Sequence, residues 1–164
     1  MKRILPLLLC LLLVFACKPK AQDNVYHHAQ FTVALPEHFE PVKDQPVLCF
    51  APYGDPLRSS SITYYATELN PYFEDFSKSE YEQAMRELCG YESLTLETIE
   101  SRRVDGFSAK RIACKVVIDQ GTHDLIIYAI NSYGTYFFTL LNRDGDSYID
   151  AFDTMMKNIQ FTRQ

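Results

Sequence analysis

From Gln30 to Leu35 the chain alternates strictly, with Phe31, Val33 and Leu35 on one side, and Pro36 stops the run. This is the pattern of a half-buried strand. Val47 to Ala51 is a short apolar run between two prolines and predicts a second strand, followed by the turn Pro52-Tyr-Gly-Asp-Pro56. Arg58 to Leu69, rich in Ser, Thr, Ile and Tyr, predicts a third, closed by Asn70-Pro71. The period then changes. Tyr81, Ala84, Met85, Leu88 and Cys89 recur at helical spacing, Ser79-Glu-Tyr-Glu82 reads as a capping box, and Gly90 supplies a left-handed C-cap. Four strands follow: Leu94 to Arg103, a strand through Ile112, Cys114, Val116 and Ile118, then Leu125 to Asn131 and Thr135 to Leu141. Their turns are marked by Asp105-Gly106, Gln120-Gly121 and Ser132-Tyr-Gly134. The last two strands are apolar on both faces, as central strands covered on two sides must be. A final helix begins near Asp146 or Ser147 and carries the stripe Ile149, Phe152, Met155, Met156, Ile159, before a short extended end at Ile159-Gln-Phe161. Runs of strands separated by helices give an α+β domain: a mostly antiparallel, twisted sheet of about six to seven strands covered by two helices, on opposite faces.

The chain opens differently. Met1-Lys2-Arg3 is basic, and an apolar run from Ile4 to Ala16 follows. As a helix it would reach roughly 20 Å, short of the ~30 Å hydrocarbon core. A basic start and a short apolar run fit a removable export signal over residues 1–16 better than a membrane span. The run ends at Val14-Phe15-Ala16-Cys17, which resembles the lipobox of bacterial lipoproteins, with Phe15 larger than that pattern prefers. The resemblance implies that Cys17 takes diacylglycerol and further acyl (palmitate-like) chains, anchoring the mature protein to a membrane. Two or three chains hold far better than one, at ~0.8 kcal/mol per buried methylene. The plainer alternative is an ordinary signal peptide and a soluble product. Residues 17–29 then read as a polar tether and 30–164 as one domain.

Charge narrows the partners. The chain carries a formal net charge of −5, and removing Lys2 and Arg3 makes it more acidic. That disfavours nucleic acid and broad electrostatic docking on anionic lipid, so membrane attachment falls to the acyl chains. Beyond Cys10 and Cys17 three cysteines remain, Cys49, Cys89 and Cys114. At most one internal disulfide is possible, among three pairings, and the alternative is three small buried hydrophobes. No nucleophile elbow, zinc-protease, Walker or dinucleotide-binding motif occurs, so no catalysis and no cofactor are expected.

Three constellations invite a functional reading. Asn142, Asp144, Asp146, Asp150 and Asp153 fall at positions 1, 3, 5, 9 and 12 of a calcium-loop spacing, although Ser147 stands where the turn wants Gly. The alternative is a strand-to-helix turn whose acids suit the helix dipole. His27 and His28, with Asp23, have the chemistry of a metal site or of a solvated linker. Tyr53, Tyr65, Tyr72 and Phe73, among Gly, Pro and Asn, suit a partner-binding surface, because rigid rings offer contact area at low entropy cost. Against this, Tyr64 and Tyr65 must face opposite sides of one strand.

Two segments, Phe31-Thr-Val-Ala-Leu-Pro36 with Phe39, and Tyr128 to Phe161, resemble the Mog1/PsbP-like fold, which includes bacterial lipoproteins. The resemblance spans residues 30–162 in element order. It implies a non-enzymatic binding or assembly module, here with a protein partner in the cell envelope. The alternative reading is a module that binds a small ligand or metal ion on the concave face of the sheet.

Overall fold

The computed structural model describes residues 24–57, 59–67, 76–132, 134–143 and 147–163. Among them the chain forms β1 (Val25–His27), β2 (Phe31–Ala34), β3 (Phe39–Pro41), β4 (Leu48–Pro52), β5 (Ser61–Thr67), α1 (Lys78–Cys89), β6 (Thr95–Val104), β7 (Phe107–Ile118), β8 (Gly121–Asn131), β9 (Thr135–Asn142), α2 (Ile149–Asn158) and β10 (Gln160–Phe161). Seven strands make one sheet in the order β3-β4-β5-β9-β8-β7-β6, every pair antiparallel. The meander β6 to β9 folds back so that β9 lies against β5, from Ser61↔Leu141 to Thr67↔Thr135. The apolar segments Leu125 to Asn131 and Thr135 to Leu141 therefore occupy the middle of the sheet, where both faces need cover. The α+β class and the antiparallel seven-stranded sheet agree with the pattern of the sequence.

Alternation along each strand sends neighbours to opposite faces. One face presents Phe50, Ile62, Tyr64, Ile126, Tyr128, Ile130, Phe138 and Leu140 to Phe152, Met155 and Met156 of α2. It also receives a second, three-stranded sheet, β1-β2-β10, with β2 in the centre. Phe31 of β2 meets Tyr64 at 4.9 Å and Phe138 at 5.1 Å, both edge-on. The other face presents Ile112, Cys114, Val116, Leu125, Ile127 and Phe137 to Tyr81 and Met85 of α1. The two helices thus lie on opposite faces, and Cys114 points inward as its register demands.

Three local features differ from the sequence reading. The segment assigned to the tether contributes β1, whose Tyr26 pairs with Val33 and packs edge-on against Phe50 at 4.9 Å. His28, taken with His27 as a candidate metal pair, stacks on Phe31 at 4.8 Å, and its Nδ1 accepts the Gln30 N–H at 3.2 Å. His27 Nδ1 lies 3.2 Å from Thr32 Oγ1 instead. The first helix is capped by Ser77, not Ser79. Ser77 Oγ accepts the Glu80 N–H while Glu80 Oε2 accepts the Ser77 N–H at 2.7 Å. Two overlapping boxes exist in the sequence, and Glu82 is unavailable to the second because it accepts the Leu96 N–H at 3.0 Å and pairs with Arg86. Gly90, at φ 71°, closes the helix as expected. The second helix starts at Ile149, and the Asn142 side chain accepts the N–H of Tyr148 just before it at 3.2 Å.

Ser77→Ala should therefore cost about 1 kcal/mol of stability in a denaturant titration, and Ser79→Ala only a few tenths. Burial holds the His28 imidazole below its usual protonation range. The unfolded chain then binds the proton more readily than the folded one, so folding is favoured above the ordinary histidine range and penalised as pH falls through it. The melting-temperature advantage of the native chain over His28→Gln should shrink between about pH 7.5 and pH 5, around the free histidine value near 6.5.

Candidate functional site

At the end of β4 the chain turns through Tyr53 and Gly54. Tyr53 adopts φ 54° and His38, opposite it, φ 67°, both left-handed without being glycine. Such a residue costs roughly 1–2 kcal/mol. The turn is held by the Tyr53 N–H donating to the His38 carbonyl at 3.1 Å and the Gly54 N–H to that of Ala51 at 3.2 Å. Gly54 itself has φ 71°, and a Cβ there would press to 3.3 Å from Glu40 Oε1. The Tyr53 and His38 rings stack at 5.2 Å and 22°. Tyr53 is 76% exposed and Leu57, four residues on, 80%. Leu57 is fixed from both sides: its N–H donates to Asp55 Oδ1 at 3.1 Å, and its carbonyl accepts Arg143 Nη1 at 2.6 Å. Two large apolar groups are thus held in water by a backbone whose strain the fold already bears.

A second feature lies on the α1 face. Helix α1 covers the β6–β8 side and leaves the β5–β9 side open. The opening is a cleft of about 570 Å³ with Thr63, Tyr65, Phe137 and Thr139 on its floor and Leu88 and Tyr91 on its wall. Tyr65 lies over Phe137 at 6.4 Å with the rings 28° apart. Cys89 also lines it, its thiol pushed up to about 12 by burial, so it stays protonated at neutral pH and contributes as an apolar group. Cys114 is likewise raised to about 12, and Cys49 is raised by burial. All three thiols are free; Cys49 and Cys114 are buried, while Cys89 is half-buried at the cleft.

Of the aromatic residues read from the sequence as one surface, the two among the described residues, Tyr53 and Tyr65, lie apart. Tyr65 lies one step beyond the Leu48↔Tyr64 pair, beside the exposed Val47 that leads into β4 and away from Tyr53 at its far end, with roughly 20 Å of chain between at 3.3 Å per residue. Tyr72, Phe73 and Cys17 lie outside the described residues, as do Asp144 and Asp146. Of the other calcium-spaced groups, Asp150 is exposed in the first turn of α2 and Asn142 is buried. Asn142 Oδ1 accepts from Tyr148 and from Ser60 Oγ at 3.4 Å. Asp153 is gripped at both oxygens by Arg111, at 2.9 and 3.0 Å, and its Oδ1 also accepts the Tyr128 hydroxyl at 2.9 Å. This clamp ties α2 to β7 and β8. It raises the Arg111 guanidinium, chiefly through the Asp153 hydrogen bonds, and a cation at position 12 would have to break it. Among the described residues no three His, Cys, Asp or Glu side chains converge as a metal site.

Neither protein-family models nor curated proteins match the chain. Solved structures do. LpqN of Mycobacterium tuberculosis, involved in cell envelope biogenesis, superposes with a TM-score of 0.58 at 14% identity, over 85% of this chain and 90% of that one. CyanoP, the PsbP of Synechocystis sp. PCC 6803, gives 0.61 at 14% identity over 84% and 91%. A Bacteroides thetaiotaomicron protein gives 0.53 at 12% identity over 87% of this chain and 50% of its own. The fold is PsbP-like, as the two resembling segments implied.

Asp153→Ala should leave the Arg111 side chain, 11% exposed, without its main partner and lower stability by about 2 kcal/mol in urea unfolding. Arg111→Met with Asp153→Leu should recover much of that loss, since an apolar pair carries no desolvation cost.

Proposed function

We propose that the protein is an exported, lipid-anchored accessory of a bacterial cell envelope that works by binding a protein partner, not by catalysis. The observation that carries this reading is the Tyr53 platform: a stacked, exposed tyrosine and a pinned, exposed leucine on a backbone already strained into place. Preorganised aromatic groups of this kind are the usual anchors of protein interfaces, because little entropy remains to be lost on binding. The PsbP-like fold shared with LpqN, a protein involved in cell envelope biogenesis, supports the setting. The lipobox-like Val14-Phe15-Ala16-Cys17 supports the anchor. The raised cysteine thiols support a binding role over a nucleophilic one.

The cleft favours a second reading, a small apolar ligand. Its volume of about 570 Å³, its wall of Leu88 and Tyr91 and its floor of Tyr65 and Phe137 with a few hydroxyls have the size and lining of a ligand pocket.

A photo-crosslinking residue in place of Leu57 in the intact chain should yield one crosslinked partner of defined mass. Tyr53→Ala with Leu57→Ala should weaken that partner's binding about 30-fold, as a hot spot of about 2 kcal/mol requires, at unchanged melting temperature. Tyr65→Ala should leave it untouched; the reverse result would favour the cleft. In the same cells Cys17→Ser should move the chain from membrane to aqueous fraction, and retention in the membrane would refute the anchor.

A further inference from the structure

An open concavity of about 720 Å³ lies on the β6–β7 hairpin, lined by Ser101, Arg102, Arg103, Ser108, Lys110 and Asn131. The register decides which side chains share its face. Ser101 pairs with Lys110, Arg103 with Ser108 and Ser108 with Asn131, so these five stand on one face, that of Ile112 and α1. Arg102 pairs with the buried Ala109, turns to the other face and bonds to Glu100. The shared face thus offers a guanidinium, an ammonium, two hydroxyls and an amide. By strand alternation no acid stands on it from Ile99 to Arg103 or from Ser108 to Ile112.

Neither cation is matched by an acid. Lys110 Nζ reaches Ser101 Oγ at 3.1 Å and Arg103 Nη1 the Gly106 carbonyl at 3.2 Å, both neutral acceptors. Among the described residues neither has a carboxylate within ion-pair distance. Diagonal neighbours across an antiparallel pair stand about 7–8 Å apart, so the two positive groups repel where nothing neutralises them. Lysines often guard sheet edges. That accounts for Arg103 on the edge strand β6 but not for Lys110, because β7 is paired on both sides.

We propose that this concavity binds a phosphoryl group. A carboxylate has two oxygens and is satisfied by one arginine. A phosphoryl group carries three terminal oxygens and up to two charges, which matches two cations ringed by hydroxyl and amide donors. The volume exceeds that of the bare ion and leaves room for the rest of a phosphate ester. The acidic surface elsewhere, at a formal net charge of −5, opposes a long polyanion and leaves a single phosphoryl group as the ligand. Two sources share this chemistry: a soluble phosphate monoester, or the monoester headgroup of phosphatidic acid.

The test follows backbone amide shifts of the full chain in neutral detergent micelles at about 0.15 M salt, where weak surface charge is screened. One arm adds inorganic phosphate; the other adds phosphatidic acid to the micelles, with phosphatidylcholine as control. The site predicts saturable shifts at Ser101, Ser108, Lys110 and Asn131 in at least one arm. Arg103→Gln with Lys110→Gln should weaken the response by at least about tenfold, the loss of one charge-assisted bond or more. The single variants give the same comparison if the double variant loses its fold. Response to phosphate assigns a soluble ester, and response to phosphatidic acid alone assigns a headgroup. No saturable shift in either arm, an equal response to phosphatidylcholine, or shifts that survive the substitutions would overturn the proposal.

Discussion

A seven-stranded sheet spans roughly 30 Å across its strands, while a helix with its side chains is about 10–12 Å wide. Much of the architecture follows from that mismatch. On one face α2 is joined by the small sheet β1-β2-β10, and together they bury a continuous apolar layer. On the other face α1 is the one helix among the described residues, and it covers only the strands beneath it. What it leaves bare is floored by Thr63 and Thr139 on one side and by Ser101, Ser108 and Lys110 on the other. The hydroxyls and charges there, set among Tyr65, Phe137 and Leu88, answer the same constraint that creates the cleft.

The strands and helices were readable because their hydrophobic periods are long and clean. What was hidden depended on pairings distant in sequence. β1 and β3 are three residues each, too short for alternation to register, and they exist because β2 and β4 offer them edges. The choice between the Ser77 and Ser79 caps turned on Leu96, which sits in the following strand and claims Glu82. Asp153 fitted a calcium spacing because spacing is local, whereas its actual partner, Arg111, lies 42 positions away in the chain. The prominence of Tyr53 was legible from its Pro- and Gly-rich surroundings, but its stacking partner His38 was not, since only the β3–β4 pairing brings them together. The basic concavity was equally invisible: Arg103 and Lys110 share a face only because Asp105-Gly106 turns with both residues left-handed and fixes the hairpin register.

The exposed Tyr53 turn and the half-covered face are separate parts of the molecule, and the strands between them are the best buried in the chain. Ile62, Ile127, Ala129, Ile130, Phe138 and Leu140 are each 0% exposed. A rigid sheet of this kind fixes the distance between its ends, so features at the two ends of β4 can be engaged independently.

The place where the chain enters the small sheet also has a mechanical meaning. The Asn24 side-chain amide donates to the Pro36 and Phe39 carbonyls at 3.0 and 2.8 Å, and the Asn24 main-chain carbonyl accepts the Leu35 N–H at 2.9 Å. Any tension arriving from upstream falls first on this latch and on three residues of β1 at the rim of β2. Releasing β1 would cost these hydrogen bonds, its ladder to β2 and the Tyr26–Phe50 ring contact, while Phe31 keeps its own contacts with Tyr64 and Phe138. The first strand is thus the segment through which a pull on Asn24 would enter the fold.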